Sequence, residues 1–187
     1  MDETKNDKRV SVVGSEFIRS EPLDLMVEGD TVTDMDGNKM FKVKTPLFGL
    51  HNRRVLSHPT GESPIATMKM KVTSKHDRWL VFRGNSAEDL IFTAKRSSTL
   101  QLKTKVEVFL KQNPAGAEGS CDFTIKGRFM KRASIICAGD SERTIAQVHE
   151  ADHKLLVTVY PNVDYAFIVT LVLVFDLINT SGSNQFH

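Results

Sequence analysis

The sequence is poor in the residues from which reactive or cross-linked sites are usually built. Its 187 residues include two cysteines, one tryptophan and two tyrosines. Cys121 and Cys137 stand in no metal-like or redox-like spacing, and both fall on alternating apolar faces, so buried reduced thiols are expected. The first residues, MDETKNDKR, offer no apolar stretch for a signal peptide. Asp2 is incompatible with N-myristoylation, and Asn184-Gln185-Phe186-His187 is not a prenylation box. An intracellular protein is therefore expected, in the cytoplasm, at the plasma membrane or in the nucleus. Without secretion, the sequon Asn179-Thr180-Ser181 reads as a chance match. There is no glycine-rich phosphate loop and no G-x-S-x-G nucleophile elbow. No catalytic residue, resident metal or cofactor is expected.

A net charge of one sign is also missing, because 25 Lys and Arg nearly cancel 23 Asp and Glu. The small total of +2 conceals a segregation. Residues 1–38 hold 4 basic and 10 acidic side chains, residues 39–132 hold 19 and 7, and residues 133–187 hold 2 and 6. Neither a uniformly basic nucleic-acid arm nor an acidic disordered tail has this pattern. With 40% hydrophobic and 26% charged residues, the chain is long enough for one well-filled core. The expected organisation is a flexible segment at 1–20, one domain over 21–180 and a short tail at 181–187.

From about Leu23 to Tyr160 the apolar period is two. Over 100–110, Leu100, Leu102, Thr104, Val106, Val108 and Leu110 share one face, with Lys103, Lys105 and Glu107 on the other. Asp36-Gly37, Pro59-Thr60-Gly61 and Pro114-Ala115-Gly116 punctuate the runs as turns. About twelve strands are expected: near 23–27, then 31–34, 39–44, 53–57, 65–72, 78–83, 90–95, 100–110, 121–126, 133–138, 144–149 and 154–160. They are linked too briefly for anything but an antiparallel all-β protein.

After Pro161-Asn162 the pattern changes. Val163–Ile178 is apolar on every side, which predicts a helix buried all round, with Asn162 or Asp164 at its start and Asn179 or Gly182 at its end. A membrane span is the second reading, since the uncharged run Tyr165–Phe175 falls short of the ~20 residues needed and Asp176 follows. A helix is about 10–12 Å across with its side chains. An eight-stranded barrel holds only its own side chains, whereas about twelve strands leave room for one helix. The expectation is a mainly β protein: a closed antiparallel barrel of about twelve strands around a central, buried, hydrophobic C-terminal helix.

Several segments carry a resemblance: TDMDGNKMFKVK (33–44), HDRWLVFRG (76–84), LKTKVEVFL (102–110), CDFTIKG (121–127), IAQV (145–148) and VTVYPNVDYAFIVTLVLVFD (157–176). In this order, and over roughly residues 20–178, the chain resembles the plant LURP-one-related family, whose fold is tubby-like and distantly similar to phospholipid scramblases. The resemblance implies the same barrel and helix, no established catalysis, phosphoinositide binding of the tubby kind, and regulation linked to plant defence. Between Gln147 and Val157 this chain is shorter than the family pattern, so one barrel hairpin is expected to be truncated and closure of the barrel is left in question.

Among chemical motifs, His149-Glu150-Ala151-Asp152-His153 has the letters of a zinc-binding H-E-x-x-H. That chemistry needs a helix to place both imidazoles on one face. The β-branched Val157-Thr158-Val159 that follows favours a polar hairpin turn, and a metal-dependent enzyme on His149, Glu150 and His153 is the third reading. Asp34-Met35-Asp36-Gly37-Asn38 lacks the glycine and glutamate positions of a calcium loop and reads as a hairpin turn. Trp79 alternates with Val81 as barrel lining, and Met68 and Met70 share a strand face as core filler. What remains is the positive charge of the middle block: Lys42 with Lys44, Lys95 with Arg96, Lys103 with Lys105, and Lys126, Arg128, Lys131 with Arg132. Converging, these would form an anion-binding surface. The leading expectation is a non-enzymatic, monomeric module binding phosphoinositide or other anionic lipid headgroups. The alternative is a nucleic-acid-binding regulator using the same face.

Overall fold

A computed structural model describes residues 8–45, 53–71, 78–100, 103–113, 120–128, 133–139, 141 and 143–183. The period-two segments form strands β1 (Leu23–Glu28), β2 (Thr31–Asp34), β3 (Lys39–Lys44), β4 (Arg53–Ser57), β5 (Pro64–Met70) and β6 (Arg78–Arg83). They continue as β7 (Leu90–Leu100), β8 (Lys103–Leu110), β9 (Phe123–Arg128), β10 (Ala133–Ala138), β11 (Thr144–Ala151) and β12 (Lys154–Val159). Each strand pairs antiparallel with its neighbour in sequence, and β1 closes on β12 through Leu23–Val159 and Leu25–Val157, making one closed barrel. Helix α1 (Tyr165–Ser183) follows the last strand.

The core faces the lumen. Leu25, Phe41, Leu56, Met68, Trp79, Val81, Phe92, Val106, Ile125, Ile136 and Val157 point inward and are buried. They close around Ala166, Phe167, Ile168, Val169, Leu171 and Val174 of α1, all likewise buried. Phe167 meets Phe92 edge-on at 5.4 Å and Phe123 at 4.9 Å, ring geometry that adds to area burial. The Thr170 hydroxyl donates to the Ala166 carbonyl at 2.7 Å, so the one polar side chain in the helix's buried middle is satisfied. At Gly127 an added Cβ would lie 2.6 Å from Cζ of Phe175, so the wall is bare where the helix ring presses on it. No described helix is long and apolar enough to cross a membrane. Cys121 and Cys137 are buried.

Several boundaries differ from the sequence reading. β7 runs on to Leu100 and β8 begins at Lys103, with Leu100 opposite Lys103. The run 100–110 is thus divided between two strands, and no glycine or proline announces the break. Leu102 lies outside the described residues. α1 continues past Asn179 and Gly182 to Ser183. The shortened segment after Gln147 does not open the barrel. β11 and β12 pair from Ala146–Val159 to Ala151–Lys154 across a two-residue turn, Asp152-His153, with φ of 50° and 62°. The left-handed backbone of both residues matches the primed turns that suit the twist of a hairpin.

The amino-terminal segment also departs from expectation. Residues 1–7 lie outside the described residues, but 8–19 close one end of the barrel instead of hanging loose. Val10, Val13 and Phe17 are buried, Val10 bridges Val163, and Ile18 bridges Asp164. Phe17 packs against Phe41 and Tyr165 with ring centroids 5.9 and 5.6 Å apart. The segment has no periodicity because it is a plug, with single side chains inserted at irregular intervals. Its anchor is Asp164. One carboxylate oxygen caps α1 at the Phe167 N–H (2.9 Å), and the other accepts from Val12, Val13 and Gly14 at 3.1, 2.7 and 3.0 Å.

Candidate functional site

An antiparallel barrel sends alternate side chains outward, and that rule decides where the positive charge goes. With Phe41 and Val43 inside, Lys42 and Lys44 stand outside on β3. Arg53 begins β4 on the outer face opposite Lys69 of β5, and Arg78 begins β6 opposite Lys95 of β7. Lys105 of β8 lies opposite Lys126 of β9, and Lys103 opposite Arg128. Each of the seven consecutive strands β3 to β9 thus carries at least one outward cation. They lie from mid-strand toward the end where odd-numbered strands finish and even-numbered strands begin, the end that holds the C-terminal half of α1. Of the barrel's acids at that end, Glu28, Glu150 and Asp152 sit on or beside β1, β11 and β12, away from β3–β9, whereas Asp30 in the β1–β2 turn borders β3, its carbonyl accepting the Val43 N–H at 2.7 Å.

Not every expected cation belongs to this surface. Arg96 turns toward the helix, and its Nη2 donates to the Ile178 carbonyl at 2.7 Å. Arg54 also faces inward, pairing with Asp176 at 3.2 Å. These two guanidinium groups sit against the C-terminal half of α1, toward the negative end of its dipole. Lys95 and Lys105 both reach Glu107, at 3.7 and 3.6 Å, so one carboxylate is shared between two ammonium groups. Lys95 also lies 4.9 Å from the Phe109 ring centroid and Lys69 5.5 Å from that of Phe82. Backbone register alone places Lys103 and Arg128, and Lys131 and Arg132 lie outside the described residues.

Beside this face, β3 and β4 border a cavity of about 720 Å³, roofed by the turn after β4 and the turn between β1 and β2. Lys42, Lys44, Arg53, Ser57, Glu62 and Asn85 line it, together with Asp30 and Arg54. Lys42 stands opposite Ser57 and Lys44 opposite Val55. Lys44 donates through Nζ to the Gly61 carbonyl, and Arg53 donates from Nη2 to Oδ1 of Asn85 at 2.7 Å. Gly61 has φ of +76°, and a Cβ there would come 3.1 Å from Lys42 Cδ and 3.2 Å from Lys44 Cε. Glycine is required both by that backbone and by the two lysine stems passing over it. The sequence reading found Lys42 and Lys44 but missed Arg53, Ser57, Lys69 and Arg78. The signal was available in the alternation of β4, β5 and β6; clustering by sequence adjacency hid it.

The H-E-x-x-H letters do not make a metal site. His149 lies in β11 opposite Ala133 and Leu156, and His153 is the second residue of the hairpin turn. Among the described residues no three His, Cys, Asp or Glu side chains come together in a metal-holding group. The 34–38 segment is a hairpin turn, with Asp34 accepting from the Asp36 and Asn38 backbone and from Asn38 Nδ2 at 2.9 Å.

Fold and surface together define a class: a closed twelve-stranded barrel threaded by its own C-terminal helix, with its positive charge on one arc of the outer wall. The chain belongs to the LURP-one-related family, whose model matches residues 17–176. It is similar to Protein LURP-one-related 13 of Arabidopsis thaliana, at 65% identity over 178 residues covering 95% of each chain. Protein LURP-one-related 15 of the same plant is 48% identical over 79% of this chain and 72% of its own. A crystal structure of an Arabidopsis thaliana protein, 40% identical, superposes with a TM-score of 0.73 over 90% of this chain and 98% of its own.

Proposed function

We propose that this protein is a non-enzymatic regulatory module that attaches to anionic membrane surfaces, phosphoinositides among them, through the basic arc of β3–β9. The observation that carries the reading is the outward cation on each of those seven strands, with Glu107 the shared acid between Lys95 and Lys105. Basic side chains at an anionic leaflet each contribute about 1 kcal/mol, so four engaged together give weak, reversible attachment. Ile135, 38% exposed and opposite Lys126, adds an aliphatic contact beside the charge. Action as a monomer at the cytoplasmic face of the plasma membrane or in the nucleus, and a defence-linked role, follow from the resemblance and belong to the same proposal.

Nucleic acid would use the same charge, but Phe82 and Phe109 lie under Lys69 and Lys95 instead of standing free to stack on bases. Co-sedimentation with phosphatidylcholine vesicles containing phosphatidylinositol 4-phosphate tests the reading, with duplex DNA as competitor. The double variant Lys103→Glu with Lys105→Glu is expected to abolish vesicle binding. Binding that survives that reversal overturns the surface assignment.

A further inference from the structure

The β3–β4 cavity has a feature that the open basic wall lacks. Ser57, 1% exposed, lines it with a hydroxyl that has no hydrogen-bond partner, and the Nε of Arg53 is likewise buried and unpartnered. Buried polar groups are nearly always satisfied, and an orphaned hydroxyl costs stability that folding alone gives no reason to accept. Around it stand Lys42, whose ammonium pairs with no carboxylate among the described residues, and Lys44, whose ammonium rests on the Gly61 carbonyl. Two ammonium groups, a guanidinium edge and a hydroxyl donor on adjacent strands suit the oxygens of one phosphate, which accepts charge-assisted hydrogen bonds from several directions. Lys44 can exchange the neutral carbonyl for a phosphate oxygen.

The remainder of the lining narrows the ligand. Among the described lining residues no aromatic ring stands ready to stack on a nucleobase, and the volume exceeds that of a bare phosphate. Asp30 and Glu62 repel a second phosphate but accept hydrogen bonds from hydroxyl groups, and Asn85 can do either. From this we infer that the β3–β4 cavity binds a phosphomonoester of a polyol, its phosphate held by Lys42, Lys44, Arg53 and Ser57 and its hydroxyls by Asp30, Glu62 and Asn85. This rests on the anion-binding reading above and adds a defined pocket to it. The same chemistry is offered by a free inositol or sugar phosphate and by the headgroup of an inositol lipid.

Isothermal titration of the whole chain with inositol 1-phosphate, inorganic phosphate and unphosphorylated inositol tests the pocket. The phosphopolyol is expected to bind more tightly than inorganic phosphate, and inositol not at all. Ser57→Ala is expected to weaken binding at least tenfold while leaving Tm unchanged or higher, because it removes a hydroxyl without a partner. Lys42→Met, at an exposed ammonium, is expected to do the same to binding. A second arm uses phosphatidylcholine vesicles with and without phosphatidylinositol 4-phosphate. If Ser57→Ala abolishes vesicle binding alone, the source is the lipid headgroup; if it abolishes binding of the soluble ligand, the source is a free phosphopolyol. The inference is overturned if neither probe binds, or if both bind and neither responds to Ser57→Ala and Lys42→Met. An unchanged response to Lys103→Glu with Lys105→Glu would sink the surface reading alone.

Discussion

The Asp164 carboxylate accepts the Val13 backbone N–H at 2.7 Å across 151 residues of sequence, and through the same oxygen it holds Val12 and Gly14. One buried side chain thereby joins the amino-terminal plug to the start of α1. Asp164→Ala leaves four backbone donors without that acceptor. A stability loss of about 2–4 kcal/mol is expected in urea unfolding. A loss below about 1 kcal/mol would mean that water replaces the carboxylate and that the plug is not anchored there.

The same group gives a pH signature. Burial is the largest influence and pushes the Asp164 carboxyl above the ordinary value of 3.8, against the opposing pull of the Phe167, Gly14, Val12 and Val13 N–H groups. The folded state therefore binds this proton more tightly than the unfolded chain. Its stabilising contribution is complete below the unfolded value and is lost as pH rises through the raised folded value. The stability difference between wild type and Asp164→Asn should shrink with rising pH across that window and level off above it. A difference that grows with pH would show that the N–H groups outweigh burial.

Arg96 separates structural cations from surface cations. Its guanidinium meets the Ile178 carbonyl at the end of α1, so Arg96→Met should cost about 1–3 kcal/mol of stability. Vesicle binding per folded molecule should not change. Loss of vesicle binding with stability intact would return Arg96 to the binding surface.

These residues also show how far the sequence could be read. Strand alternation and the all-round apolar stretch after Pro161 were enough for the barrel and its helix, because a lumen-facing residue and its outward neighbour differ in solvent exposure at every step. The plug was not legible. Val10, Val13 and Phe17 follow no period, and Asp164, which holds the segment, stands more than 140 residues away. Arg96 misled for a related reason: an inward-facing arginine looks like surface charge until a helix is placed beside it. The charge blocks acquire meaning only through closure. β1 pairing with β12 sets the acidic amino-terminal block beside the acidic carboxy-terminal one, leaving β3–β9 as an uninterrupted basic arc.

Packing of α1 in the lumen sets the largest single-residue sensitivity. Leu171 is fully buried in the middle of the helix, surrounded by strand side chains that belong to a closed sheet. A closed barrel cannot collapse around a lost side chain as an open sheet can, so Leu171→Ala should lie toward the upper part of the usual 2–5 kcal/mol for such truncations. Thermal and urea unfolding both measure this, and a cost below about 1.5 kcal/mol would show that the helix shifts to fill the space.

The Asp152-His153 turn lies at the opposite extreme. Both residues hold left-handed backbone, φ of 50° and 62°, which costs ordinary L-residues energy that Asn and Gly avoid. The hairpin is already fixed in register by six pairs from Ala146–Val159 to Ala151–Lys154, so replacing the turn should alter the strain and little else. Asp152→Asn with His153→Gly is expected to raise stability by about 1 kcal/mol, read as a higher urea midpoint at unchanged m-value. If stability instead falls, the His153 ring is making a contact that outweighs its backbone cost, and the zinc-motif letters at 149–153 would regain a structural purpose.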